Sequence, residues 1–118
     1  MYEYRAFITD VYDGDTITAN IDLGFRTGLS GIKLRLYGIN APEIRLTSGV
    51  TKEDKDAGLK ARDWLSERIL NRQVFIRTHR DSTEKYGRFL AEVYPLDDHR
   101  MSFNQMLVDE GLAAEARY

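Results

Sequence analysis

The sequence predicts an α+β fold dominated by a five-stranded OB-type (Greek-key) β-barrel with two to three helices, and three observations predict it. Five stretches carry strand-like patterning. One long helical stretch separates the third from the fourth. A short capped stretch follows the fifth, an order that suits a sheet closing on itself. No repeat, low-complexity tract or linker interrupts the chain, so residues 1–118 read as one domain.

Tyr4 to Tyr12 is rich in aromatic and β-branched residues, and Asp13-Gly14-Asp15 punctuates it with a turn signal, which predicts a tight hairpin. From Thr16 to Leu23 the alternation is strict. Ile17, Ala19, Ile21 and Leu23 share one face, and Thr16, Thr18, Asn20 and Asp22 the other. Gly24 to Gly31 reads as a loop. Ile32, Leu34 and Leu36 then alternate with Lys33, Arg35 and Tyr37 in a third strand, so Arg35 faces away from the core-forming set. Pro42 ends the run, because it cannot donate to a ladder and biases Ala41 toward extended backbone.

Ile44 to Val50 reads as a loop, and Thr51 is placed to cap a helix through Leu70 with Glu53 and Asp54 in its first turn. Ala57, Ala61, Trp64, Leu65 and Ile69 line its predicted inner face. Strands near Val74–Arg80 and Phe89–Tyr94 flank a polar loop from Asp81 to Arg88. Ser102-Phe103-Asn104-Gln105 has the form of a capping box, with Met101 and Met106 placed as its hydrophobic staple. Gly111 sits where a left-handed cap would stop that helix.

Composition narrows the function classes. Apolar residues at 42% and charged residues at 31% place the chain among globular domains and exclude disordered and membrane-spanning classes. With no cysteine, neither a disulfide framework nor a thiolate metal site is available. The start, Met1-Tyr2-Glu3-Tyr4-Arg5, lacks the basic patch and apolar run of a secretion signal, which favours a cytoplasmic or phage-associated setting over secretion. A net charge of -2 argues against coating nucleic acid electrostatically, so any polyanion must be held locally. Basic residues do gather in Arg72, Arg77, Arg80, Lys85 and Arg88, against Asp81 and Glu84; a solvated strand and loop would look the same.

Chemistry has few places to reside. His79 and His99 are the only histidines, and their settings suit hydrogen-bonded or solvated side chains better than a triad or a zinc site. The acidic positions are more informative: Asp15 opens the second strand, and Asn40 and Glu43 lie just beyond the third. If neighbouring strands bring them together, they form a hard oxygen site of the kind that holds calcium or magnesium. Arg35 and Arg88 supply the positive charge that phosphoryl transfer needs around its phosphate.

Four motifs in order, Val11-Tyr12-Asp13-Gly14-Asp15-Thr16, Leu34-Arg35-Leu36, Ala41-Pro42-Glu43 and Lys85-Tyr86-Gly87-Arg88, resemble those of the staphylococcal nuclease (thermonuclease) family, and Asn104 to Ala113 resembles its closing helix. The resemblance implies a calcium-dependent phosphodiesterase acting on single-stranded or denatured DNA and on RNA with little sequence preference, as a monomer with no membrane partner. It makes Asp15 a direct calcium ligand, Asn40 a second, and the Ala41 carbonyl a third. Glu43 positions the attacking water and can accept its proton, Arg35 and Arg88 clamp the phosphate, and Lys85 and Tyr86 meet the terminal phosphate of the nucleotide.

Two departures stand out. Asn40 replaces an aspartate of the staphylococcal enzyme, and an amide ligand brings no charge, so weaker calcium binding is expected. The carboxy-terminal stretch lacks the tyrosine that lies against the base, leaving Arg117 or Tyr118 to substitute. The alternative reading is a catalytically silent OB-type module that binds single-stranded nucleic acid or a protein partner; a third is a purely structural set of surface ion pairs.

Overall fold

The computed structural model describes residues 2–42, 51–83 and 89–116, with the backbone alone at 80–83. The strands are β1 (Tyr2–Asp13), β2 (Thr16–Gly24), β3 (Thr27–Leu36), β4 (Ile39–Asn40), β5 (Gln73–Thr83), β6 (Phe89–Pro95) and β7 (Ala114–Glu115); the helices are α1 (Lys52–Ile69) and α2 (Phe103–Asp109). The barrel closes in the order β1-β2-β3-β6-β5. Its one parallel seam joins β3 to β6, with Arg35 opposite Leu90 and Leu36 opposite Ala91. The predicted five-stranded barrel is therefore the observed one.

Alternation drives closure. Ile17, Ala19 and Ile21 of β2, Leu34 and Leu36 of β3, Val74 and Ile76 of β5, and Ala91 and Val93 of β6 all turn inward and are buried. Two register shifts in β1, between Ile8 and Asp10 and between Val11 and Asp13, bend a strand of 12 residues around the barrel. Helix α1 closes one end with Ala61, Leu65 and Ile69, and α2 adds Phe103 and Leu107. Truncating a side chain as enclosed as Leu65 should cost about 2–5 kcal/mol.

Local sequence signals end the helices where expected. The Thr51 hydroxyl accepts the Asp54 N–H at 3.1 Å and the Asp54 carboxylate accepts the Thr51 N–H at 3.3 Å, a complete capping box. At α2 only half of the box forms, because the Gln105 amide turns down the helix to Asp109 at 2.8 Å; Met101 stays exposed. Gly111 adopts φ 73°, and the Gly111 and Leu112 N–H groups return to the Val108 and Leu107 carbonyls at 3.0 and 2.8 Å.

Four expectations are corrected. Gly24 to Gly31 is no loop: β2 and β3 continue as a hairpin whose turn is only Phe25-Arg26, both in the left-handed region at φ 53° and 61°. Neither residue signals such a turn, which normally calls for Asn-Gly. On α1, Ala57 is exposed and Gly58 takes its inward place, the helix phase being set by close packing around Ala61. Leu23, assigned to the inner face of β2, lies past the end of the core and is exposed. Asp81 to Thr83, assigned to a polar loop, instead continue β5; the rest of that loop and the predicted loop at Ile44–Val50 lie outside the described residues.

One element had no sequence signal. Ile39 and Asn40 pair with Glu115 and Ala114 in a two-stranded ladder, extended by the Ala116 N–H to the Gly38 carbonyl at 2.8 Å. Buried Asn104 ties this region to the barrel: its amide nitrogen donates to the carbonyls of Tyr37 (2.9 Å) and Ala91 (3.1 Å), and its oxygen accepts the Val93 N–H (3.0 Å).

Candidate active site

The Asp13-Gly14-Asp15 turn sets the site's floor. The Asp13 carboxylate accepts the Asp15 N–H at 3.0 Å, an Asx turn that fixes the hairpin, and the Asp15 carbonyl accepts the Leu36 N–H at 2.8 Å. Gly14 is required by proximity: a Cβ there would stand 2.7 Å from the Ala41 Cβ and 2.8 Å from the Ala61 Cβ. Ala41 and helix α1 thus press against the turn from two sides, which keeps Asp13 and Asp15 buried.

Around Asp15 the structure assembles residues from three separate stretches. One carboxylate oxygen accepts the Ala41 N–H at 2.9 Å and meets the Arg35 guanidinium at 3.0 Å; the other accepts the Thr16 hydroxyl at 3.2 Å. The second terminal nitrogen of Arg35 donates to the Ile39 carbonyl at 3.2 Å and to the Asn40 side-chain oxygen. Arg35 pairs directly with Thr16 across the β2–β3 ladder, so an outward-facing strand position becomes a nearly enclosed one, 13% exposed at its side chain. Arg35, Asn40 and Ala41 thus lie around Asp15, while Glu43 and Arg88, expected at the same place, lie outside the described residues.

Sequence reasoning treated Asp13 only as a turn residue. Burial, reinforced by the neighbouring Asp15 carboxylate, pushes its carboxyl up to about 7, far above the ordinary carboxylate range. The signal available was the pair of carboxylates flanking a glycine. Glu43, Lys85, Tyr86, Arg88, Arg117 and Tyr118 lie outside the described residues.

The oxygen set tests whether a metal suits this place. Asp15, Asn40 and the backbone carbonyls are all hard donors, which fits calcium or magnesium and not a thiolate- or imidazole-binding ion. No group of three or more His, Cys, Asp or Glu side chains able to hold a metal occurs among the described residues. The guanidinium of Arg35 rests on the same Asp15 and Asn40 oxygens.

The other candidates fall elsewhere. His79 stacks on Tyr37, ring centroids 3.6 Å apart, and bonds Glu92 at 3.1 Å; His99 stacks on Phe75 and bonds the Leu96 carbonyl at 3.0 Å. Arg77, part of the predicted basic cluster, is held by its cross-strand partner Glu3 at 3.0 and 3.1 Å. Beside the site, a groove of about 500 Å³ runs along Asn40, Ala41 and Pro42 between Asp54 and Gly111–Ala114.

Residues 33–118, most of the chain, match the model of the staphylococcal nuclease homologue family. The chain belongs to this family. The match takes in Arg35, Asn40 and Ala41 and begins after Asp15. Among relatives, a thermonuclease of Staphylococcus intermedius is 32% identical over 108 residues, 92% of this chain and 57% of that protein. Probable endonucleases lcl3 of Aspergillus flavus and Aspergillus oryzae are each 29% identical over 103 residues, 81% of this chain and 34% of theirs. The chain spans between a third and a little over half of these relatives' lengths. Family membership agrees with the five-stranded barrel.

Proposed function

We propose that this protein is a calcium-dependent nuclease that hydrolyses phosphodiester bonds of DNA and RNA with little sequence preference. The observation that carries the reading is the convergence of Arg35, Asp15, Asn40 and Ala41 on one point of the barrel's surface. Naming of the relatives as thermonuclease and probable endonuclease supports it. Asp15, the Asn40 amide oxygen and the Ala41 carbonyl are the residues that would hold calcium, and the ion supplies charge neutralisation for the attacked phosphate. Arg35 and Arg88 bind the phosphate through paired guanidinium hydrogen bonds. Glu43 orients the water and takes its proton as the new P–O bond forms and the bond to the departing oxygen breaks. Lys85 and Tyr86 hold the neighbouring phosphate.

Asn40 favours a second reading. With an amide where the staphylococcal enzyme has a carboxylate, the site gathers less negative charge, as a barrel that binds nucleic acid without cutting it would tolerate. Hydrolysis of denatured DNA and of RNA, with calcium and with chelator, beside Glu43→Ser, separates the two. Calcium-dependent cleavage lost in the variant is the expected result. Binding without cleavage at any calcium concentration overturns the nuclease in favour of the silent barrel.

A further inference from the structure

The β2–β3 hairpin runs beyond the core. Ile21 is its last buried residue, and every residue from Asp22 to Gly31 is exposed. At the tip Phe25 is completely exposed, and it shares with Arg26 a left-handed conformation that bulky residues rarely adopt. The full exposure of the Phe25 ring leaves it no packing to offset that cost. An aromatic ring and a guanidinium are thus presented to solvent in a turn that Asn-Gly would form more favourably.

The arm begins at the candidate site. Thr16, beside Asp15, pairs with Arg35, and the next outward-facing pair is Thr18 with Lys33. From base to tip the hairpin carries Arg35, Lys33 and Arg26 against Asp22, whose carboxylate is engaged by the Gly24 N–H at 2.8 Å. At the base Arg35 is paired with Asp15 and Asp10 of β1 lies opposite Thr18, so among the described residues the free basic charge of the arm is Arg26 near its tip. Phe25 lies 10 positions beyond Asp15, so at about 3.3 Å per residue the tip stands at most roughly 33 Å from it. Single strands on barrels of this kind cover roughly 4–16 nucleotides, which includes that reach.

Resting on the nuclease reading for its substrate, we infer that the hairpin is a second contact for single-stranded nucleic acid, with Phe25 stacking on a base and Arg26 meeting a phosphate several nucleotides from the one held at Arg35. Aromatic stacking suits a sequence-tolerant substrate, because every base offers a π-face. The arm therefore sets preference for long strands and leaves the chemistry to the site at its base.

The test uses oligonucleotides of about four and about sixteen nucleotides, the two ends of that range. Hydrolysis is followed in calcium and binding by fluorescence anisotropy, for the wild type, Phe25→Ala, Phe25→Trp and Arg26→Ala. Phe25→Ala should raise KM and Kd for the long strand by roughly 5- to 100-fold, with kcat and the short-strand values unchanged. Phe25→Trp should restore them, and Arg26→Ala should flatten the salt dependence of long-strand binding. Length-selective loss of binding by a wild type that never cleaves removes the nuclease reading and keeps the arm. Equal effects at both lengths, or none, overturn the arm. So does binding to anionic phospholipid vesicles that Phe25→Ala abolishes while long-strand binding stays intact.

Discussion

Arg35 and Asp15, 20 positions apart in sequence, meet at 3.0 Å with both side chains nearly enclosed. Asp15 also accepts from Ala41 and Thr16, so its charge is held by three donors from different stretches of chain. Removing Arg35 strips the compensating charge from a buried carboxylate. Arg35→Ala is expected to destabilise the protein by about 2–4 kcal/mol in chemical denaturation, and adding Asp15→Asn should recover part of that loss. Additive losses in the double variant would show the pair to be uncoupled.

Gly14 is constrained by its neighbours. Gly14→Ala places a methyl group within 2.8 Å of both Ala41 and Ala61, so either the Ala41 segment or helix α1 must move. A loss of about 1–3 kcal/mol is expected, as for other overpacked sites. Because Ala41 donates to Asp15, stabilisation by added calcium and nucleotide in thermal melts should shrink as well. A variant that melts like the wild type and keeps its ligand response would show that the turn has room.

Tyr94 is buried and donates its hydroxyl to Glu92. Burial, and then the Glu92 carboxylate, push its phenol up to about 12 from the ordinary 10.0. The raised value means that the folded protein keeps the proton when the unfolded chain has lost it. This contribution is complete below pH 10 and fades as pH rises toward 12, with a magnitude of about 3 kcal/mol. Denaturation midpoints over that range should fall more steeply in the wild type than in Tyr94→Phe. Identical slopes would remove the phenol from the alkaline transition.

The turn at Phe25-Arg26 offers the opposite sign. Replacing the pair by Asn-Gly suits the left-handed backbone already present at both positions. A gain of about 1–2 kcal/mol is expected in thermal or urea unfolding, with binding of long oligonucleotides weakened at the same time. Stabilisation without that weakening would separate the turn's conformation from any role in recognition.

Most of the barrel could be read in advance because closure depends on a local pattern. Strict alternation in β2 and β3 puts one face inward whatever the rest of the chain does, and the signals at Thr51, Ser102 and Gly111 act within one helical turn. Reading failed where a distant neighbour decided the outcome. Phe25-Arg26 carries no turn signature, so its conformation comes from two strands held in register by the barrel. Ala57 and Gly58 exchanged places because the face of α1 is chosen by what lies against it at Gly14.

The candidate site divides in the same way. Residue types alone determined that Asp15, Asn40 and Glu43 could offer hard oxygens and that Arg35 would face away from the core, since chemistry and strand periodicity are properties of the chain itself. Only the tertiary structure decided that Arg35 would be enclosed with the oxygens of Asp15 and Asn40, that Asp13 would be buried enough to push its carboxyl up, and that Asn40 would sit in a ladder with Ala114. Each of these depends on desolvation or on a hydrogen bond between residues far apart in sequence, and such terms exist only once the barrel has closed.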